Sequence, residues 1–182
     1  MACRECAPRF SYWDGTWASA SRPYSLCQIL TEIKEAGFQA VELGDALDFL
    51  GPADSLKAML QDLGLEMATL VVPTLAADAR QRVDYAAQFG VKVLMVGGGV
   101  RPKGRPVEPA DMAPYAEALH DLAAYAGKYG MELAQHTHPD AITGTTEEAL
   151  MLLQQVPECV GICADVAHLQ QAGSDPVQAI YH

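Results

Sequence analysis

Hydrophobic and polar positions alternate between two periods along the chain. Helical stretches such as "SLCQILTEIKEAG" and "SLKAMLQDLG" are each followed by a short run dense in apolar residues. These runs are "FQAVELG", "LEMATLVVP", "VKVLMVGG", "MELAQH" and "VGICADV". The first kind reads as amphipathic helix and the second as buried strand. Glycines stand at the junctions, at Gly37, Gly64, Gly90 and Gly130. A glycine just past the last turn relieves the left-handed conformation there, so each marks a helix end. Helix starts are also legible. Ser25 with Gln28, and Thr145 with Glu148, have the spacing of a capping box. Asp175-Pro176 is an N-cap followed by proline at the first helical position. Six strands are predicted, at 8–13, 38–43, 65–72, 91–97, 131–136 and 160–165. Strands alternating with helices of this length mean βα units and a parallel sheet.

Chemistry-bearing residues gather where the predicted strands finish: "ELGD", "VVPT", "VGGG", "HTHPD" and "DVAH". In a parallel sheet those ends share one face, where the active sites of α/β folds lie. The longest connection, containing "RPKGRPVEP", follows the fourth strand. It reads either as a lid or as a surface excursion. Alternate side chains of a strand share a face, so His136 and His138 project the same way. Asp165 ends the next strand, and His168 turns back beside it as the chain leaves the sheet. Neighbouring strands five and six would bring all four to one rim. Histidine with carboxylate suits zinc, manganese, cobalt or iron better than calcium or magnesium. The competing reading is that His136 and Asp165 only satisfy loop backbone groups. Two such pairs at adjacent strand ends favour a site.

Composition narrows the classes. The 182 residues suffice for one domain with a sizeable core, and half are hydrophobic. Net charge is −11, without a lysine-arginine cluster, so nucleic acid is not an expected partner. No apolar run is long enough to span a bilayer. "MACRECAPRF" lacks the apolar core of a secretory leader, so the expectation is a soluble, cytoplasmic protein. Five scattered cysteines do not suggest a disulfide framework. Cys3 and Cys6 form a CxxC with no second pair, and read as free thiols near a terminus. Cys159 and Cys163 bracket a strand and read as small core residues.

In these motifs the chain resembles a family, the xylose-isomerase-like TIM barrels of sugar-phosphate isomerases and epimerases, which also include endonuclease IV. "GFQAVELG" is similar to the family's second strand, and "DVAHLQQAGSDP" to its sixth strand and following turn. The fifth strand usually ends in Glu-Asn-His, with the glutamate on a metal; here His136, Thr137 and His138 stand there. A His-x-His-x-Gly-Thr version occurs in the inosose dehydratase branch. "HTHPDAITGT" keeps both histidines, with Gly144-Thr145 further away, and the opening "FSYWDGTW" is also reminiscent of that branch. The resemblance implies a (βα) barrel over residues 1–182, incomplete at about six of eight units. The seventh-strand histidine and eighth-strand glutamate, two of the four usual ligands, have no counterpart, and His182 falls in a helix. Either the sequence is part of a longer protein or a partner completes the barrel; a homo-oligomer stays open.

The implied activity is divalent-metal-dependent isomerisation, epimerisation or dehydration of a keto-sugar, sugar phosphate or cyclitol. The metal, manganese, cobalt, zinc or magnesium, would be held by Asp165 and His136. His138 and His168 would bind hydroxyls or carry protons, and Glu42 would touch substrate. The alternatives are a non-catalytic truncated barrel that binds a sugar or a partner chain, and, ranked lower, an endonuclease IV-type nuclease. The latter would need a basic groove and more histidines.

Overall fold

The structure is a computed structural model that describes residues 11–13, 24–44 and 46–181. Cys3, Cys6, His182, the start of the first predicted strand and most of "FSYWDGTW" lie outside them.

Six strands form one parallel sheet in sequential order: β1 (Ser11–Trp13), β2 (Ala40–Leu43), β3 (Glu66–Pro73), β4 (Val93–Gly97), β5 (Glu132–His136) and β6 (Val160–Cys163). Among the described residues each pairs with the next in chain order, from β1 at one edge to β6 at the other. This is a partial (βα) barrel, as the repeat predicted. The helices are α1 (Leu26–Glu35), α2 (Leu47–Leu50), α3 (Ala53–Leu63), α4 (Ala79–Ala87), α5 (Pro109–Ala126), α6 (Thr146–Leu153), α7 (Val166–Gln171) and α8 (Pro176–Tyr181). No described helix is long and apolar enough to cross a membrane.

Period-2 patterning separates the two faces of the sheet. Leu70, Val72, Leu94, Val96 and Leu133 are essentially inaccessible and pack under the helices with Ile29, Leu56, Leu119 and Leu152. Each such side chain contributes about 1.5–3 kcal/mol by burial. The alternate residues Val71, Met95, Ala134 and His136 face the barrel interior and stay partly exposed.

Gly37, Gly64, Gly90 and Gly130 all have positive φ and close their helices as expected. Thr145 and Glu148 form the complete reciprocal box at the start of α6. Asp175 accepts from the Val177 N–H at the start of α8. The Ser25 box is only half formed. Ser25 accepts from Gln28 N–H, but the Gln28 amide turns along the helix to Glu32. At the start of α5 the Glu108 N–H donates to the Asp111 carboxylate at 2.8 Å, a capping contact that was not anticipated. The sixth strand is shorter than predicted. It stops at Cys163 because Asp165 becomes the N-cap of α7, a short helix where a turn was expected.

The β4–α5 connection is pinned rather than free. Val100 forms an antiparallel bridge with Ala141 in the β5–α6 loop. Arg101 makes a bidentate pair with Glu148 at 2.7 and 2.6 Å, and Arg105 a second with Asp111. A lid hinging over the site would have to break the first clamp.

Candidate active site at the strand ends

The strand ends enclose a cavity of about 680 Å³, lined by Glu42, Val71, Met95, His136, His138, Cys163, Ala164, Asp165, Val166 and His168. All five residues singled out in the sequence therefore line one cavity. Their juxtaposition follows from register: His136 of β5 is the Cα partner of Cys163 of β6, two residues before Asp165.

Asp165 divides its carboxylate between two tasks. Its Oδ1 accepts from the backbone N–H groups of Ala167 and His168, both at 3.0 Å, and so caps α7. Its Oδ2 lies 3.3 Å from His136 Nε2 and 3.2 Å from His168 Nδ1. The reading of Asp165 as a satisfier of loop backbone is thus correct for one oxygen, while the other faces two imidazoles. Burial pushes the Asp165 pKa up, but the His168 N–H and the His136 ring outweigh it and hold the carboxyl below 3.8. Burial pushes the His136 imidazole below its ordinary 6.5, against the pull of Asp165.

His136, Asp165 and His168 each offer a ligand atom, and these atoms all lie within 4.8 Å of one another. Glu42 and His138 share the cavity but not that tight group. The His138 ring sits edge-on to His168, centroids 4.5 Å apart, and its Nδ1 accepts from the Asp140 N–H.

Three residues at the site were not anticipated. Cys163, expected in the core, faces the cavity; burial raises its thiol pKa, reinforced by Glu42 and Asp165. The alternation that places Asp165 on the inner face would also have placed Cys163 there. Gln135 and Thr137 flank His136 on the opposite strand face and are fully buried. Gln135 accepts from the Tyr115 hydroxyl at 2.5 Å and donates to His136 O and Thr143 Oγ1. The Tyr115 hydroxyl also meets Thr74 Oγ1 at 3.0 Å. Buried polar groups so completely paired hold the backbone carrying both histidines.

The sequence profile of the xylose isomerase-like TIM barrel matches residues 30–182. The inosose dehydratase of Geobacillus kaustophilus is 27% identical over 181 residues, spanning 87% of this chain and 58% of that protein. The probable 3-DHS dehydratase AsbF of Bacillus anthracis superposes with a TM-score of 0.74 at 20% identity, over 96% of this chain and 69% of its own. The IOLI protein with a zinc atom also reaches 0.74, at 18% identity, over 95% and 68%. The chain spans between 51% and 58% of the length of the curated relatives it matches.

Proposed function

The chain belongs to the xylose isomerase-like TIM barrel family, and from that premise we propose that it carries the divalent-metal site of a sugar or cyclitol isomerase, epimerase or dehydratase. The observation that supports this reading is the tight donor group of His136, Asp165 and His168 at the strand ends. An imidazole-carboxylate set of this kind fits zinc, cobalt or manganese. The similarity to an inosose dehydratase, and to a barrel with a zinc atom, points the same way.

In this reading His136 and Asp165 hold the ion, with His168 beside them. A bound divalent ion would supply Lewis-acid stabilisation of the negative charge developing on the substrate's carbonyl oxygen. The chain's own groups do the rest. Asp165 Oδ2 would bring a negative charge to the cavity wall, between the His136 and His168 rings. A histidine, His138 or His168, accepts the proton from the carbon next to the carbonyl, while the C–H electron pair moves toward the carbonyl oxygen. Glu42, which lines the same cavity from β2, would accept hydrogen bonds from substrate hydroxyls. Val71 and Met95 give the same cavity an apolar wall.

Calorimetric titration of the 182-residue chain with zinc and with cobalt tests this. The expected result is saturable binding of one ion, weakened at least tenfold by Asp165→Ala. Equal affinity in the variant, or no binding by the wild type, would refute the assignment.

A further inference from the structure

Thr137, between the two histidines, has a role that the metal reading does not assign. Its side chain points away from theirs, into the buried side of the sheet, and it is fully inaccessible. All three of its hydrogen-bonding groups nevertheless reach the β6–α7 corner. Its N–H donates to Cys163 O at 3.2 Å. Its Oγ1 accepts from the Asp165 N–H at 2.9 Å. Its carbonyl lies 3.1 Å from His168 Nδ1.

The last contact decides the chemistry of His168. A backbone carbonyl has no proton to give, so Nδ1 must carry one and donate it. The neighbouring Asp165 Oδ2, also an acceptor, sits 3.2 Å from the same nitrogen and reinforces that tautomer. The lone pair of the neutral ring is therefore on Nε2. The Oγ1 contact acts on the other partner. With its N–H tied to Thr137 and its Oδ1 tied to the first turn of α7, Asp165 has only Oδ2 left for a ligand.

We propose that Thr137 is the positioning residue of this site: its carbonyl presets His168 to act through Nε2, and its hydroxyl fixes Asp165 so that Oδ2 is the ligating oxygen. This rests on the metal-site reading, and it deepens that reading by naming the atoms. Supporting groups of this kind commonly set both the tautomer of a histidine and the affinity of a site.

Long-range ¹H–¹⁵N NMR on the labelled 182-residue chain, at a pH where the ring is neutral and with resonances assigned by His168→Gln, reads the tautomer without metal or turnover. The expected spectrum shows a protonated Nδ1 and an unprotonated Nε2 for His168. An Nε2–H ring, or an even mixture, would overturn the proposal. Zinc titration supplies the second readout. Thr137→Val, which keeps shape and loses the acceptor, should bind zinc about 10–100-fold more weakly. Thr137→Ser should restore affinity to within about threefold, by the same measure of a supporting hydrogen bond regained. Wild-type affinity in Thr137→Val also overturns it. If Thr137→Val fails to fold, the wild-type tautomer and the Thr137→Ser affinity still decide. Absence of zinc binding by the wild type would sink the metal reading alone, and leave the tautomer to decide the role of Thr137.

Discussion

Substituting alanine for Gly99 should damage this protein far more than the same change at an open glycine, and the size of the difference can be worked from the geometry. Gly99 lies just past β4, with φ of +76°, against the loop that follows the paired histidines. A Cβ there would sit 2.4 Å from Ile142 Cγ2, 2.9 Å from Ile142 Cβ and 3.3 Å from the Tyr115 ring. Holding an L-residue at that φ costs about 1–2 kcal/mol. Ile142 is itself buried, so it cannot swing into solvent, and overpacking adds about 1–3 kcal/mol. The sum, about 2–5 kcal/mol, is a large part of the roughly 5–15 kcal/mol that stabilises a domain. Gly37 is the internal control: φ is +90°, but a Cβ there meets nothing within 4 Å. Gly37→Ala should therefore cost only the backbone part, about 1–2 kcal/mol. Urea unfolding monitored by circular dichroism is the assay. With slopes of about 1–3 kcal/mol per molar urea, the Gly99→Ala midpoint should fall below that of Gly37→Ala by on the order of 1 M. Equal midpoints with unchanged slopes would show that Ile142 yields freely, and that close packing behind the histidine loop is not what requires glycine.

Two further outcomes follow from the polar contacts. Glu148→Ala should lower stability by about 2–3 kcal/mol, because it strands the partly buried Arg101 guanidinium and frees the Thr145 N–H; the double variant with Arg101→Ala should cost less than the sum of the single changes, and strict additivity would refute the coupling. Stability should fall as pH drops through 6.5, in chelator, because the unfolded chain protonates His136 before the folded chain does. The Asp165 contribution, from a pKa held below 3.8, persists above that value and is lost only at more acidic pH. His136→Gln should flatten the upper part of this profile, measured as urea midpoint against pH, and an unchanged slope would contradict the assignment.

Much of this architecture is determined by local sequence. Four of the five helix-to-strand junctions among the described residues carry a glycine at positive φ, Gly37, Gly64, Gly90 and Gly130, and the strands are written in residues that suit a sheet face buried under helices. Those signals act over a few residues, which is why the parallel order and the face bearing Glu42, His136, His138, Asp165 and His168 could be read from the chain alone. Tertiary structure decided how those groups divide their work. Asp165 splits its two oxygens between a helix cap and two imidazoles, because a short helix starts where a turn was expected. Alternation from Asp165 already puts Cys163 on the inner face, but only the register of β6 against β5 sets it beside His136. Gln135 and Thr137 become supports of the site only when Tyr115, Thr143 and the β6–α7 corner arrive from 8 to 31 residues away to meet them. A sequence period shows which face a side chain takes. Which partner meets it there depends on long-range packing, and hydrogen bonds satisfied across that distance leave no periodic trace in the chain.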